Sequence, residues 1–248
     1  ISLSSIDPAT LQIFNNAGRE LVEDARLAKN DTLIETPIWV YDGHDGRFDE
    51  TDYLLFYGRS LEGVEYDAST ARLRHYTHSY DTQNVYWLTF NKQNGKRIQT
   101  QSTPVSPDLE VIQFTRDLKW IEEEKYNPFG SDVIWLGSEL SNHSSTFSWA
   151  FSLDKPILSE PTEFRCALAS SSYGDEFSIF VNGNLAGQCQ QSGDSEYIYW
   201  AEHTFIANDV LMSGDNSMTV SYQTQSDVKS AYVDWLEGEY QRPLSAAN

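Results

Sequence analysis

Aromatic and β-branched side chains recur along the 248 residues in short runs that alternate apolar with polar positions. The runs are interrupted at intervals of roughly ten residues by Gly, Asn, Asp or Pro, the punctuation of all-β architecture. Long stretches with the 3.6-residue spacing of an amphipathic helix are missing. In the first half the alternation predicts strands at 11–14, 36–41, 53–57, 85–90 and 97–100, with Asn94-Gly95 supplying a tight turn before the last. The stretch 114–126 suits a short helix through its Leu-Lys-Trp-Ile-Glu-Glu-Glu run. Phe114, Leu118 and Trp120 equally suit a strand, and strand is the assignment adopted.

The second half is more regular. Runs at 146–153, 163–170, 176–181, 185–190, 197–205, 217–223 and 231–240 give about seven strands, the number expected of a β-sandwich, with a jelly roll as the first choice. Asn182-Gly183 closes one hairpin, and Ser213-Gly214-Asp215-Asn216 turns the chain into another strand. Between 101 and 108 the sequence QSTPVSPD has two prolines and no apolar alternation, so it reads as a linker or long crossover. The expectation is an all-β chain of two β-sandwich-like domains, an N-terminal one over 1–108 and a jelly roll over 109–248. The chain opens on Ile1 and enters strand-like sequence at once, as expected of a segment of a longer polypeptide whose targeting peptide has been removed.

Charge narrows the partners. With 17 Lys+Arg against 37 Asp+Glu the formal net charge is −20, so nucleic acid and anionic membrane surfaces are repelled. Such acidity confers solubility outside the cell, and it also suits a cationic ligand. The longest apolar runs, such as Tyr53-Leu54-Leu55-Phe56-Tyr57, fall far short of the ~20 residues of a membrane-spanning helix. The two cysteines, Cys166 and Cys189, lie in strand-like stretches on either side of Asn182-Gly183, which suits a cross-strand disulfide formed in an oxidising compartment. Two free buried thiols are the competing reading.

Catalytic signatures are scarce. No Gly-x-Ser-x-Gly elbow, His-Glu-x-x-His motif or phosphate-cradling glycine loop occurs. None of His44, His75, His78, His143 and His203 has a local setting that would activate a thiolate, and Cys166 sits in the apolar alternation Phe164, Cys166, Leu168. His75-Tyr76-Thr77-His78 reads as a solvated loop without further ligands at metal spacing. One polar cluster stands out: Asp42, Asp45, Asp49 and Asp52 fall within eleven residues between two strands. Hard oxygen ligands gathered on a turn are what calcium selects, although the spacing departs from the EF-hand pattern. The alternative is an Asp/Gly turn whose carboxylates cap backbone N–H groups. A carboxylate pair for glycoside hydrolysis depends on a separation that only the fold supplies. The seven tryptophans (39, 87, 120, 135, 149, 200 and 235) mostly alternate with apolar neighbours and are expected in the core rather than stacked on sugars.

Several stretches, in order and spread over nearly the whole chain, resemble one family. In the first half they are Asp7-Pro-Ala-Thr-Leu-Gln-Ile-Phe-Asn-Asn-Ala-Gly-Arg-Glu20, Asp45-Gly-Arg-Phe-Asp-Glu-Thr-Asp-Tyr-Leu-Leu-Phe-Tyr-Gly58 and Asn84-Val-Tyr-Trp-Leu-Thr89. In the second they are Phe180-Val-Asn-Gly183, Leu211-Met-Ser-Gly-Asp-Asn216 and Ala231-Tyr-Val-Asp-Trp-Leu-Glu237. Together they are similar to the N-terminal non-catalytic region of the gingipain-like cysteine peptidases, including the type IX secretion sortase relatives. The resemblance implies that a caspase-like domain with the catalytic histidine and cysteine follows residue 248, and that no catalytic residue lies in this chain. The family carries further sequence before the segment matching 7–20, so the first domain is expected to lack part of its start. The Cys166/Cys189 pair is not part of the family pattern.

The sequence therefore suggests a secreted, periplasmic or cell-surface accessory or pro-region that assists folding, latency or partner binding of a downstream peptidase domain in the same polypeptide, with cell-surface or secretion components as further partners. The alternative is a carbohydrate-binding jelly-roll module of a secreted enzyme, with calcium at the 42–52 turn. A stand-alone hydrolase using two carboxylates is the third reading.

Overall fold

The alternating runs form strands, and a computed structural model describes residues 2–16, 18, 20, 24, 26, 32–102, 112–130, 134–171, 173–192, 197–224 and 230–244. The linker read at 101–108 lies mostly outside the described residues. The chain divides into two units, Ile1–Gly63 with Tyr76–Leu109, and Val64–His75 with Glu110–Asn248. The sequence reading leaves 64–75 in the first domain; in the structure this segment joins the second unit.

The first unit is built around small sheets. β1 (Gln12–Asn15) pairs with both β2 (Ile34–Thr36) and β7 (Trp87–Thr89), while β3 (Ile38–Tyr41) and β4 (Tyr53–Phe56) form a two-stranded antiparallel ribbon. Its core gathers Ile6, Leu11, Ile13 and Ile38, with Val40, Phe48, Leu54, Tyr86 and Phe90 packed against them. The segment read as a strand at 97–100 forms only an isolated parallel bridge between Ile38 and Arg97. The Arg97 guanidinium is committed elsewhere, donating to the carbonyls of Pro8, Ala9 and Leu11 at the end of a short 3-10 turn. Gly95 is required by close approach rather than by a turn, because a Cβ there would stand 2.1 Å from the Leu11 carbonyl oxygen.

Between these strands the chain runs through β5 (Glu62–Asp67) and β6 (Arg72–Thr77), a two-stranded hairpin that alternation did not reveal. The sequence reading also places 75–78 in a solvated loop, whereas His75 lies on β6.

The second unit is a sandwich of antiparallel sheets. One sheet has the order β10 (Thr146–Leu153), β15 (Gly214–Gln223), β12 (Tyr173–Val181), β13 (Asn184–Ser192). The other runs β14 (Tyr199–Ala207), β11 (Thr162–Ser170), β16 (Ala231–Pro243), β8 (Phe114–Glu122), with β9 (Ser138–Leu140) also paired to β16. The ambiguous 114–126 stretch is thus a strand over most of its length. Phe164, Cys166 and Leu168 of β11 meet Phe177, Ile179 and Val181 of β12 and Met218, Val220 and Tyr222 of β15 in one core. β15 alternates buried with partly exposed positions, as a strand with one solvated face should. β11 is buried at nearly every position, so both faces of the β11–β16 sheet centre are covered.

Candidate functional site

The outward face of β11, β16 and β8 carries charge, and at its centre on β11 and β16 that charge is buried. Arg165 lies between Phe164 and Cys166 on β11, and strand alternation turns it away from the sandwich core. Glu237 and Glu239 on β16 face the same way, in register with Arg165 and Glu163. The covering comes from residues 64–75. Arg165 Nε donates to Glu237 Oε2 at 2.7 Å, its Nη1 donates to Glu163 Oε1 at 3.2 Å, and its Nη2 donates to the Leu73 carbonyl. The Leu73 amide donates to Glu239 Oε2 at 3.2 Å, and the His75 amide to Glu237 Oε1 at 2.9 Å. Arg116 Nη1 bridges Glu239 Oε1 at 2.7 Å and the Ala71 carbonyl at 2.9 Å.

The His75 ring joins the same network through Nδ1 to Glu237 and through Nε2 to Glu122 Oε2, the latter at 3.4 Å. Trp120 and Trp235 flank it, with ring centroids 6.3 and 5.1 Å away. Burial alone would push the imidazole pKa down, but the Glu122 and Glu237 carboxylates override that and hold it at about 9. Burial pushes Glu237 the other way, towards protonation, and His75 and Arg165 keep its pKa below the usual value. Arg165, Arg116, Arg72 and His75 thus stand against Glu237, Glu239, Glu163 and Glu122, a balanced set, which is the condition under which buried ions persist. At neutral pH His75 is a cation and offers no lone pair for general-base chemistry.

Two cavities adjoin this cluster. One of about 140 Å³ is lined by Arg74, His75, Arg165, Glu202, Trp235 and Glu237. The other, about 330 Å³, is bordered by Arg72, Arg116, Glu163 and Glu239. A further carboxylate group lies nearby. Burial raises Asp234 to about 6 despite a 2.7 Å hydrogen bond from Trp200 Nε1, and burial with Glu122 and Asp234 raises Glu124 to about 7.

The cysteines correct an expectation. Cys166 and Cys189 are free thiols. Asn182-Gly183 does close the β12–β13 hairpin, but Cys189 lies opposite Phe177, and Cys166 belongs to β11 in the other sheet. The two cysteines are therefore not partners across one hairpin, although both pack into the core between the two sheets. Burial pushes both thiols up, Cys189 to about 12, and Cys189 adds to the rise at Cys166. Cys166 does face His203 across the β11–β14 register. His203 Nε2 is buried without a hydrogen-bond partner, and burial lowers its pKa, so the imidazole does not stabilise a thiolate. Both thiols are expected to resist maleimide at neutral pH in the native chain and to react once it is unfolded. Mass spectrometry checks this, and a chain that takes up no label after unfolding without reductant would be a bridged one.

In the acidic turn between β3 and β4 each carboxylate caps a nearby amide. Asp42 accepts from the His44 amide at 3.1 Å, Asp45 from the Arg47 amide at 2.9 Å, Asp49 from the Thr51 amide at 2.8 Å, and Asp52 from the Asp49 amide at 2.7 Å. These are local turn caps, and among the described residues no three His, Cys, Asp or Glu side chains come together as a metal would require. The tryptophans also depart from expectation. Trp120, Trp149 and Trp235 are only partly buried, Trp149 against the sandwich core, and Trp39, Trp87, Trp135 and Trp200 are exposed. Sequence reasoning missed Arg165, Glu237, Glu239 and His75. The available signal was an arginine set inside the apolar alternation of β11.

No family model matches the chain, and no curated protein does. Among solved structures it is similar to dimeric latent PorU from Porphyromonas gingivalis, with a TM-score of 0.67 and 16% identity over 96% of this chain. Its fold is shared with a stretch of PorU. The chain covers 22% of PorU's own length. Lower likeness extends to a family 36 carbohydrate-binding module in complex with calcium and xylotriose, at a TM-score of 0.33 and 16% identity over 51% of this chain and 99% of that one. It also extends to a β-porphyranase from Bacteroides plebeius, at 0.36 and 9% over 98% and 31%. No helix among the described residues is long and apolar enough to cross a membrane.

Proposed function

We propose that this chain is the accessory or pro-region of an exported gingipain-like cysteine peptidase, built to assist folding, latency or partner binding of a peptidase domain in the same polypeptide. The observation that carries the reading is the fold shared with PorU across 96% of this chain, which amounts to about a fifth of PorU's length. The ordered resemblances from 7–20 to 231–237 support the same relation. Latency is a property named for PorU, and here it becomes the expectation that the chain holds its peptidase inactive.

The test mixes the purified chain with the domain that follows it in its parent polypeptide, reading association by calorimetry and peptidase activity by substrate cleavage. Association with a fall in activity is the expected result. Absence of both association and any change in activity removes the proposal.

A further inference from the structure

The β3–β4 ribbon of the first unit has one face in the core and the other in solvent. Ile38, Val40 and Leu54 point inward, with Ile38 wholly buried. Trp39 lies opposite Leu55 and Tyr41 opposite Tyr53, so alternation places all four on the outer face. They are 43%, 54%, 38% and 45% exposed, a contiguous apolar patch of the kind that marks an interaction surface. The rings are in mutual contact: Tyr41 stacks on Tyr53 at 5.1 Å, and Trp39 lies 5.8 Å from Tyr53. Among the described residues β4 pairs only with β3, which leaves its second edge open. The turn at the Tyr41/Tyr53 end carries Asp42, Asp45, Asp49, Glu50 and Asp52 against the single cation Arg47.

We propose that this ribbon docks an extended segment of a partner protein bearing Lys and Arg at alternate positions. The segment adds to the open edge of β4 through main-chain hydrogen bonds. Its alternate side chains lay their apolar stems over Leu55 and their charges against the aromatic rings, where a cation is held by the ring face. The acidic turn supplies complementary charge and favours this occupant over others. A second copy of the chain would bring the same turn and a net charge of −20 against itself. An anionic partner is repelled on the same ground. The surface lies wholly in the first unit, and its use does not depend on the function proposed above.

The experiment measures fluorescence anisotropy of a labelled ten-residue peptide of alternating Arg and Thr against the full chain. Trp39→Ala with Tyr53→Ala is expected to weaken binding about tenfold, since each ring contributes a cation–π contact. Asp45→Asn with Asp49→Asn is expected to weaken it several-fold and to flatten its salt dependence. Asp209→Asn with Asp215→Asn, which removes the same charge from the second unit, leaves it unchanged. N-methylation of alternate peptide amides weakens it as well, because the edge loses its hydrogen bonds. Equal binding by all variants, or by a peptide of alternating Glu and Thr, overturns the proposal. So does glycan binding that is lost on Trp39→Ala, or self-association through this face in sedimentation equilibrium.

Discussion

Replacing Arg165 by alanine is expected to destabilise the second unit by about 3–5 kcal/mol, the usual cost of removing one partner from a buried ion cluster. The side chain is 3% exposed and meets Glu237, Glu163, Glu239 and the Leu73 carbonyl. Its removal leaves Glu237, itself 2% exposed, dependent on His75 alone for a counter-charge. Arg165→Lys keeps the charge but not the planar fork, and it should fall between the two, because an ammonium cannot reach several carboxylates in fixed directions at once. Urea unfolding followed by tryptophan fluorescence reads the effect, since Trp120 and Trp235 flank the same cluster. A loss below about 1 kcal/mol, the range of exposed pairs, would mean that water re-solvates the site and that the pairing is not what holds 64–75 in place.

Stability should also decline as pH rises from about 6.5 to 9, and His75 is the principal cause. Its pKa is raised from the usual 6.5 to about 9. A histidine raised on folding contributes stability that is fully present below its unfolded pKa and is lost as pH climbs through the folded one. The shift corresponds to about 3 kcal/mol. Asp234, raised to about 6, acts in the same sense over a lower window, because its folded form also holds a proton that the unfolded chain releases earlier. Glu237 acts oppositely. Its lowered pKa gives stability present above the ordinary glutamate range and lost as pH falls. Urea midpoints measured from pH 4 to 10 should show the alkaline decline, and His75→Gln should flatten it. A profile that stays level from pH 6.5 to 9 in the parent chain would show that the imidazole is not held between its two carboxylates.

The sandwich was legible because its strands follow a simple rule. β15 and β10 have one face in the core and one in water, and their sequences alternate accordingly. β5 and β6 were illegible for the opposite reason. Arg72, Arg74 and His75 crowd β6 with polar groups that meet other polar groups, so burial there leaves no apolar signature. The charged cluster was hidden by the same effect. A glutamate on β16 looks alike whether it faces water or an arginine, and its partners Leu73 and His75 lie more than 160 residues away. The Asp42–Asp52 turn illustrates a different ambiguity, since carboxylates that cap amides and carboxylates that bind calcium are the same residue types at similar spacings. The hairpin at Asn182-Gly183 was placed correctly, but the strand carrying Cys166 was not the one it joins, because local turn chemistry is silent on which sheet a preceding strand enters.

The chain visits the second unit twice, briefly through Val64–His75 and then from Glu110 onward. A single cut near residue 110 would therefore not release a finished sandwich. The severed portion would lose the Leu73 carbonyl and amide and the His75 ring, and it would expose Arg165, Glu237 and Glu239 to water with only part of their partners. Recombination that shuffles modules at linkers would meet the same obstacle, because the sandwich draws on two separate stretches of chain.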